Sequence, residues 1–205
     1  MNFNNNRIEH IITSSFIYNP DLNRLSIGDD SNRQIYLWGG SPIVTGSTAL
    51  GFFTLGGNSG NYNTAVGFYS QRINYGRENT TLGTFTLEVP AAGESVENIK
   101  NTAIGYGALR NTGDAVNTLA IAIGYNALGT GGSNKDIAIG NGALGNGNSV
   151  PSGTGKNIAI GDLAMGAGIA SDGGNNIAIG VQSLYNLANG INIISIGNFS
   201  LKSNL

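Results

Sequence analysis

A nine-residue unit recurs along the chain: Asn or Asp, Thr or Ile, Ala, a large aliphatic residue, Gly, two variable residues, a small residue and Leu. Clear copies are NTAVGFYSQ (63–71), NTTLGTFTL (79–87), NTAIGYGAL (101–109), DIAIGNGAL (136–144), NIAIGDLAM (157–165) and NIAIGVQSL (176–184). STALGFFTL (47–55), AIAIGYNAL (120–128) and IISIGNFSL (193–201) differ from them little, and RLSIGDDSN (24–32) reads as a degraded first copy. The aligned glycines are Gly51, Gly67, Gly83, Gly105, Gly124, Gly140, Gly161, Gly180 and Gly197, with Gly28 before them. Their spacings run from 16 to 23 residues while the unit itself stays constant. A fixed core with a variable remainder argues for one structural element plus a loop of adjustable length.

In NIAIG the residues three and one before Gly share one face of an extended strand, and the residue two before it lies on the other. The first face reads Thr or Ile, then Ile, Val or Leu; the second reads Ala, Ser or Thr. β-Branched residues favour a strand, and Gly and Asn bound it. A helix would carry a Gly inside every copy, at roughly 1 kcal/mol each against Ala. A strand of four or five residues is too short to stand alone, so the expectation is all-β: short strands stacked as rungs of a parallel β-solenoid or β-roll. Ten rungs at about 4.8 Å give a rod roughly 45–50 Å long. The Ile-type row is expected to fill the core of one chain's roll. The row of small residues (Ala49, Ala65, Ala103, Ala122, Ala138, Ala159, Ala178) is expected to let chains approach one another closely. The alternative is that Ala simply fits a narrow single-chain solenoid. A thin roll buries little apolar area per residue, which points to several copies packing together. The Asn that opens many copies (Asn63, Asn79, Asn101, Asn157, Asn176) is expected to bond turn backbone, to tolerate left-handed conformations and to stack as a ladder.

Composition removes several functions. The 10 basic and 12 acidic residues leave no excess positive charge for nucleic acid. With no Cys, disulfide, zinc–thiolate and iron–sulfur chemistry are impossible. The uncharged runs are broken by Gly, Asn, Ser and Thr and never reach the ~20 apolar residues of a membrane span. The opening MNFNNNRIEH has neither the basic start nor the apolar middle of a secretory leader. Synthesis in the cytosol, without membrane insertion, is the expectation.

The NTAIGYGAL and NIAIG units resemble the repeats of phage tail-fibre and related virion proteins, and are similar to the AIG-containing head repeats of trimeric autotransporter adhesins. The resemblance spans about residues 47–201. It implies a homotrimeric fibre of left-handed parallel β-rolls that holds or presents a host-binding surface, carried on the virion. The adhesins have a leader, a coiled-coil stalk and a membrane anchor, and long tail fibres have large extra domains; none is visible here. The chain is therefore expected to be a small virion protein. The other readings are a head-fibre or collar decoration without receptor, and a bacterial adhesin head module. An ice-binding solenoid would need a continuous outer Thr grid, and Thr gives way to Ile after residue 120.

The chain divides into two regions: an N-terminal attachment or capping segment, 1–46, and a β-roll repeat domain, 47–205. Of 16 aromatic residues, 12 lie in the first 85, and residues 41–71 carry no charge. Phe16, Tyr18, Tyr36 and Trp38 are candidates for docking on other virion proteins, or for an ordinary cap on the first rung. The longest inter-repeat segments are 88–100, 110–117, 145–156 and 166–175. Insertions in solenoids fall on the outer face, so Glu94, Glu97, Lys100, Asp114 and Asp172 are candidates to face a host carbohydrate or protein receptor, or simply to keep the rod solvated.

No enzyme and no cofactor or metal is expected. GNGALG (140–145) matches a dinucleotide fingerprint only because its glycines fall in the repeat frame, and NGNSVPSG after it cannot open a helix. GTGK (153–156) lacks the spacing and the Ser or Thr of a phosphate loop. Asp29 with Asp30, and Glu94 with Glu97, are pairs that nothing fixes at glycosidase separations. His10 has only Glu9 as an acidic neighbour.

Overall fold

A computed structural model describes residues 46–55, 60–72, 76–88, 98–110, 118–129, 135–145, 156–167, 174–187 and 190–204, together with the backbone of five short strands before residue 46. Among these residues every regular element is a strand. β1 (Phe3–Asn4) and β2 (Arg7–Ile8) pair antiparallel. β3 (Phe16–Asn19), β4 (Arg24–Ile27) and β5 (Ile35–Trp38) form an antiparallel meander. β5 pairs antiparallel with β6 (Thr48–Leu50), so the meander covers the edge that β6 would otherwise leave open.

From β6 onward the strands run parallel: β7 (Thr64–Val66), β8 (Thr80–Leu82), β9 (Thr102–Ile104), β10 (Ile121–Ile123), β11 (Ile137–Ile139), β12 (Ile158–Ile160) and β13 (Ile177–Ile179). β14 (Asn186–Leu187) leaves this sheet and pairs with β16 (Ser203–Asn204), while β15 (Ile194–Ile196) closes the parallel series on β13. The register is residue for residue, with Ala122 level with Ala103 on one side and Ala138 on the other. The chain is thus a β-solenoid with nine parallel strands in one sheet. The copy at 24–32 is not a tenth rung: Arg24–Ile27 is β4, antiparallel to both its neighbours. Eight intervals of about 4.8 Å make the parallel part about 38 Å long, shorter than ten rungs would be.

Each rung turns at its repeat Gly. These glycines have φ between 122° and 138°, a region closed to residues with a Cβ. A Cβ on Gly67 would also stand 2.6 Å from the carbonyl carbon of Gly83 in the next rung. Two and four residues further on the backbone is left-handed, as at Tyr69 (φ 56°) and Gln71 (φ 52°), or Leu163 (φ 53°) and Met165 (φ 51°). Left-handed conformation disfavours non-Gly residues by roughly 1–2 kcal/mol each. Ladder bonds on both walls offset it. Gly140 N donates to Ile123 O at 2.8 Å on the strand side, and Leu128 N donates to Ala143 O at 3.0 Å on the return side.

The interior reverses the expected assignment of faces. Ala49, Ala65, Ala103, Ala122, Ala138, Ala159 and Ala178 point into the roll and are fully or almost fully buried. They meet the Ala and Leu of the return segment, such as Ala108 and Leu109, or Ala164 and Met165. The Ile-type row lies outside, half-buried along the middle of the rod and reaching 67% exposure at Ile194 and Ile196. The physical reason is width. The turn at Gly brings the two walls close, and once the return wall contributes Leu, only a small side chain (Ala, Ser or Thr) fits opposite. Where the interior is polar, the groups pair with one another: Ser70 Oγ lies 2.6 Å from Thr81 Oγ1 and 2.8 Å from Thr86 Oγ1, and Ser183 Oγ donates to Ser195 Oγ at 2.8 Å.

The Asn column is a ladder, as expected. Asn79 N donates to Asn63 Oδ1 at 3.0 Å, Asn101 N to Asn79 Oδ1 at 2.9 Å, and Asn176 N to Asn157 Oδ1 at 3.0 Å. Asp136 takes the same place and accepts from Asn157 N at 2.6 Å. Each side chain satisfies a buried N–H of the next rung. The left-handed residue is the one before the Asn, as at Tyr62, Glu78 and Lys100.

Candidate functional site

Three outward features stand above an otherwise regular rod. The first is the strand face. Its two columns, three and one before each Gly, run from Thr48 and Leu50 to Ile194 and Ile196 without a charged residue. Leu82 is 50% exposed. A strip about 38 Å long and one three-residue strand wide, about 10 Å, has a footprint near 400 Å², the size of the largest patch on a typical soluble monomer, a patch that is often functional.

The second feature is an aromatic ridge at the residues just after the repeat Gly. Phe52 and Phe68 stack with centroids 5.6 Å apart and planes within 10°. Phe85 lies 5.6 Å from both Phe68 and Tyr106 and is turned by 85° to each. Tyr106 and Tyr125 stack again at 5.4 Å. A second file runs beside it, Phe53 to Tyr69 at 5.4 Å and Tyr69 to Phe85 at 5.7 Å. Phe53, Phe68, Tyr106 and Tyr125 are exposed. The ridge fades where Asn141, Asp162, Val181 and Asn198 take the corresponding places.

The third is a column of charge five residues after the Gly. Arg72, Glu88 and Arg110 stand there in three consecutive rungs. Arg72 Nε lies 3.2 Å from Glu88 Oε1 and Arg110 Nε 3.0 Å from Glu88 Oε2. The Glu88 side chain is 3% exposed, against 30% and 37% for the arginines. The N–H groups point off the line to the carboxylate, so Arg72 Nε, Arg110 Nε and Glu88 Oε2 are buried without an aligned hydrogen bond. These are ion pairs by distance only. Each guanidinium also covers a ring: Arg72 lies 4.4 Å from the Tyr69 centroid and Arg110 5.1 Å from that of Phe85.

The residues singled out from sequence fall elsewhere. Successive repeat glycines lie against one another from Gly51 to Gly197, each beside the carbonyl of the next. Phe16 and Tyr18 lie on β3, and Tyr36 and Trp38 on β5; their side chains are outside the described residues, as are Glu94, Glu97, Asp114 and Asp172. Lys100 is exposed, with Nζ 3.7 Å from Glu78 Oε2. Sequence reasoning missed the ridge and the charge column because it weighed the variable segments by length. The signal was their fixed place in the repeat: five after the Gly stand Gly129, Gly145 and Gly166 in other rungs, but Arg, Glu and Arg in these three. Among the described residues no three His, Asp or Glu side chains are grouped to hold a metal ion.

Comparison with protein-family models, with curated proteins and with solved structures finds no match to this chain.

Proposed function

We propose that this chain is a subunit of a trimeric bacteriophage fibre or spike whose rod presents a host-attachment surface. The virion assignment rests on the resemblance of the repeats. The single structural observation that supports assembly is the outward strand face: it is uncharged, aliphatic apart from Thr48, Thr64, Thr80 and Thr102, and it repeats at the pitch of the sheet. Three such faces turned toward a threefold axis would bury it, each subunit meeting the next through a heterologous contact that closes into a ring. A homotrimer also gives the rod its mechanism. Three weak identical sites held rigidly together gain avidity without any one of them binding tightly. The left-handed sense of the roll and attachment of the particle through residues 1–46 belong to the same proposal.

Sedimentation of the purified chain tests assembly: the expected mass is three chains of 21.1 kDa, about 63 kDa. A folded species at 21.1 kDa would remove the trimer. Ile139→Glu and Ile160→Glu place charge on the outer face; each is expected to release folded monomers. Attachment is tested by competition. Excess purified protein should block adsorption of the parent particle to its host cells, and undiminished adsorption favours decoration without a receptor.

A further inference from the structure

We infer that the Arg72–Glu88–Arg110 column and the adjoining aromatic ridge form a binding site for an acidic saccharide, a sugar ring bearing a carboxylate. The site rests for its biological setting on the attachment reading above and gives that reading a ligand class.

The fold does not require charge at this place. Gly129, Gly145 and Gly166 show that the roll closes with no side chain there. Three charged residues in three successive rungs are therefore a local departure from the repeat. They coincide with the stretch that carries the rings. Their geometry is that of a held pair of cations. Glu88 is buried between two guanidiniums that approach its separate oxygens from the rungs on either side. Two positive charges against one negative leave an excess of one. Each Nε stands within 3.2 Å of a carboxylate oxygen without an aligned hydrogen bond, so neither guanidinium is tied to Glu88 by directed bonds. Both side chains reach solvent. Each guanidinium lies over a ring, Tyr69 or Phe85, that neighbours the exposed ring of Phe68 or Tyr106.

A fork of N–H donors held in plane matches a carboxylate through two parallel bonds. The apolar C–H face of a sugar ring packs on aromatic rings. A carboxylated sugar supplies both halves, whereas a neutral sugar leaves the forks unused. Nucleic acid fits poorly, because the chain carries a net charge of −2 and phosphate tracking needs a longer run of cations.

The test uses the full chain and two immobilised probes, polygalacturonate and polysialic acid, with methyl-esterified polygalacturonate, dextran sulfate and polyglutamate as comparisons. Binding to at least one carboxylated polysaccharide is expected, with a tenfold or greater loss on methyl esterification. The combined variant R72Q/E88Q/R110Q leaves no lone buried charge. It should melt near the parent temperature and lose at least tenfold in binding. Tyr106→Ala should weaken binding severalfold with the charges intact. No binding to either acidic polysaccharide overturns the site. So does equal binding to dextran sulfate or polyglutamate, undiminished binding by the folded combined variant, or a second copy of the chain covering the ridge. Adsorption competition separates the two readings. A combined variant that loses the saccharide yet still blocks adsorption overturns this site as the attachment site and leaves attachment standing. A parent chain that binds saccharide and does not block adsorption overturns attachment and leaves the site.

Discussion

Replacing Gly161 by Ala measures how much of the rod's stability depends on rungs touching at the turn. Gly161 has φ 136°, and a Cβ there would stand 2.6 Å from the carbonyl carbon of Gly180, with the oxygen nearer still. Ordinary contact begins near 3.4 Å, so the rungs must part by close to 1 Å out of a spacing of about 4.8 Å. Parting them weakens the neighbouring bond from Gly180 N to Ile160 O, now 2.8 Å. Gly197 provides the control. Its φ is 122°, but among the described residues an added Cβ would meet only Ser200 Cβ, at 3.9 Å. Gly197→Ala therefore isolates the dihedral cost, about 1–3 kcal/mol. Gly161→Ala adds the steric displacement and at least one disrupted hydrogen bond of about 1 kcal/mol, so its total is about 3–5 kcal/mol. Urea unfolding followed by far-ultraviolet circular dichroism reads both, provided the slopes agree. Equal losses in the two variants would refute the claim that inter-rung contact, and not the dihedral alone, demands glycine.

The interior can be tested in the same way. Ala138→Leu forces three extra carbons into a filled roll and should cost at least 1–3 kcal/mol, whereas Ile139→Val, on the outer face, should change unfolding of the isolated chain by under about 0.5 kcal/mol. Asn79→Ala removes the acceptor of Asn101 N and the donor to Asn98 O at 2.8 Å, two hydrogen bonds at buried positions; the expected loss is about 1–3 kcal/mol by thermal melting. Asn141→Ala breaks only an exposed bond to Asp162 and should stay within about 0.5 kcal/mol. Deleting residues 1–46 uncovers the β6 edge that β5 now pairs, so the truncated rod should stay β-rich but associate through that edge, seen as concentration-dependent sedimentation.

The rung was legible because one constraint fixes it. A Gly that nothing else can replace follows a three-residue strand in every copy, and alternation then gives two faces. Which face points inward was not legible, since Ala and Ile rows are both apolar. The choice depends on how close the return wall comes, and that is set by left-handed residues such as Leu128 and Leu144, which no composition rule marks. RLSIG misled for a related reason: five residues satisfy the pattern, but partner direction is decided by the neighbouring strands. The charge column was written in the sequence at a constant offset. It was hidden because Glu88 looks like the first residue of a long variable segment instead of the last residue of a rung.

Register along the sheet is exact from Thr48 to Ile196, although the chain takes 16 residues to reach the next strand in some places and 22 in others. The connecting segments are thus uncoupled from the pitch of the rod. A peptide inserted within 146–155 or 111–117 would lengthen a connection and leave the register of the strands on either side unchanged. Such a chain can change what it shows while keeping what it is built on, segment by segment.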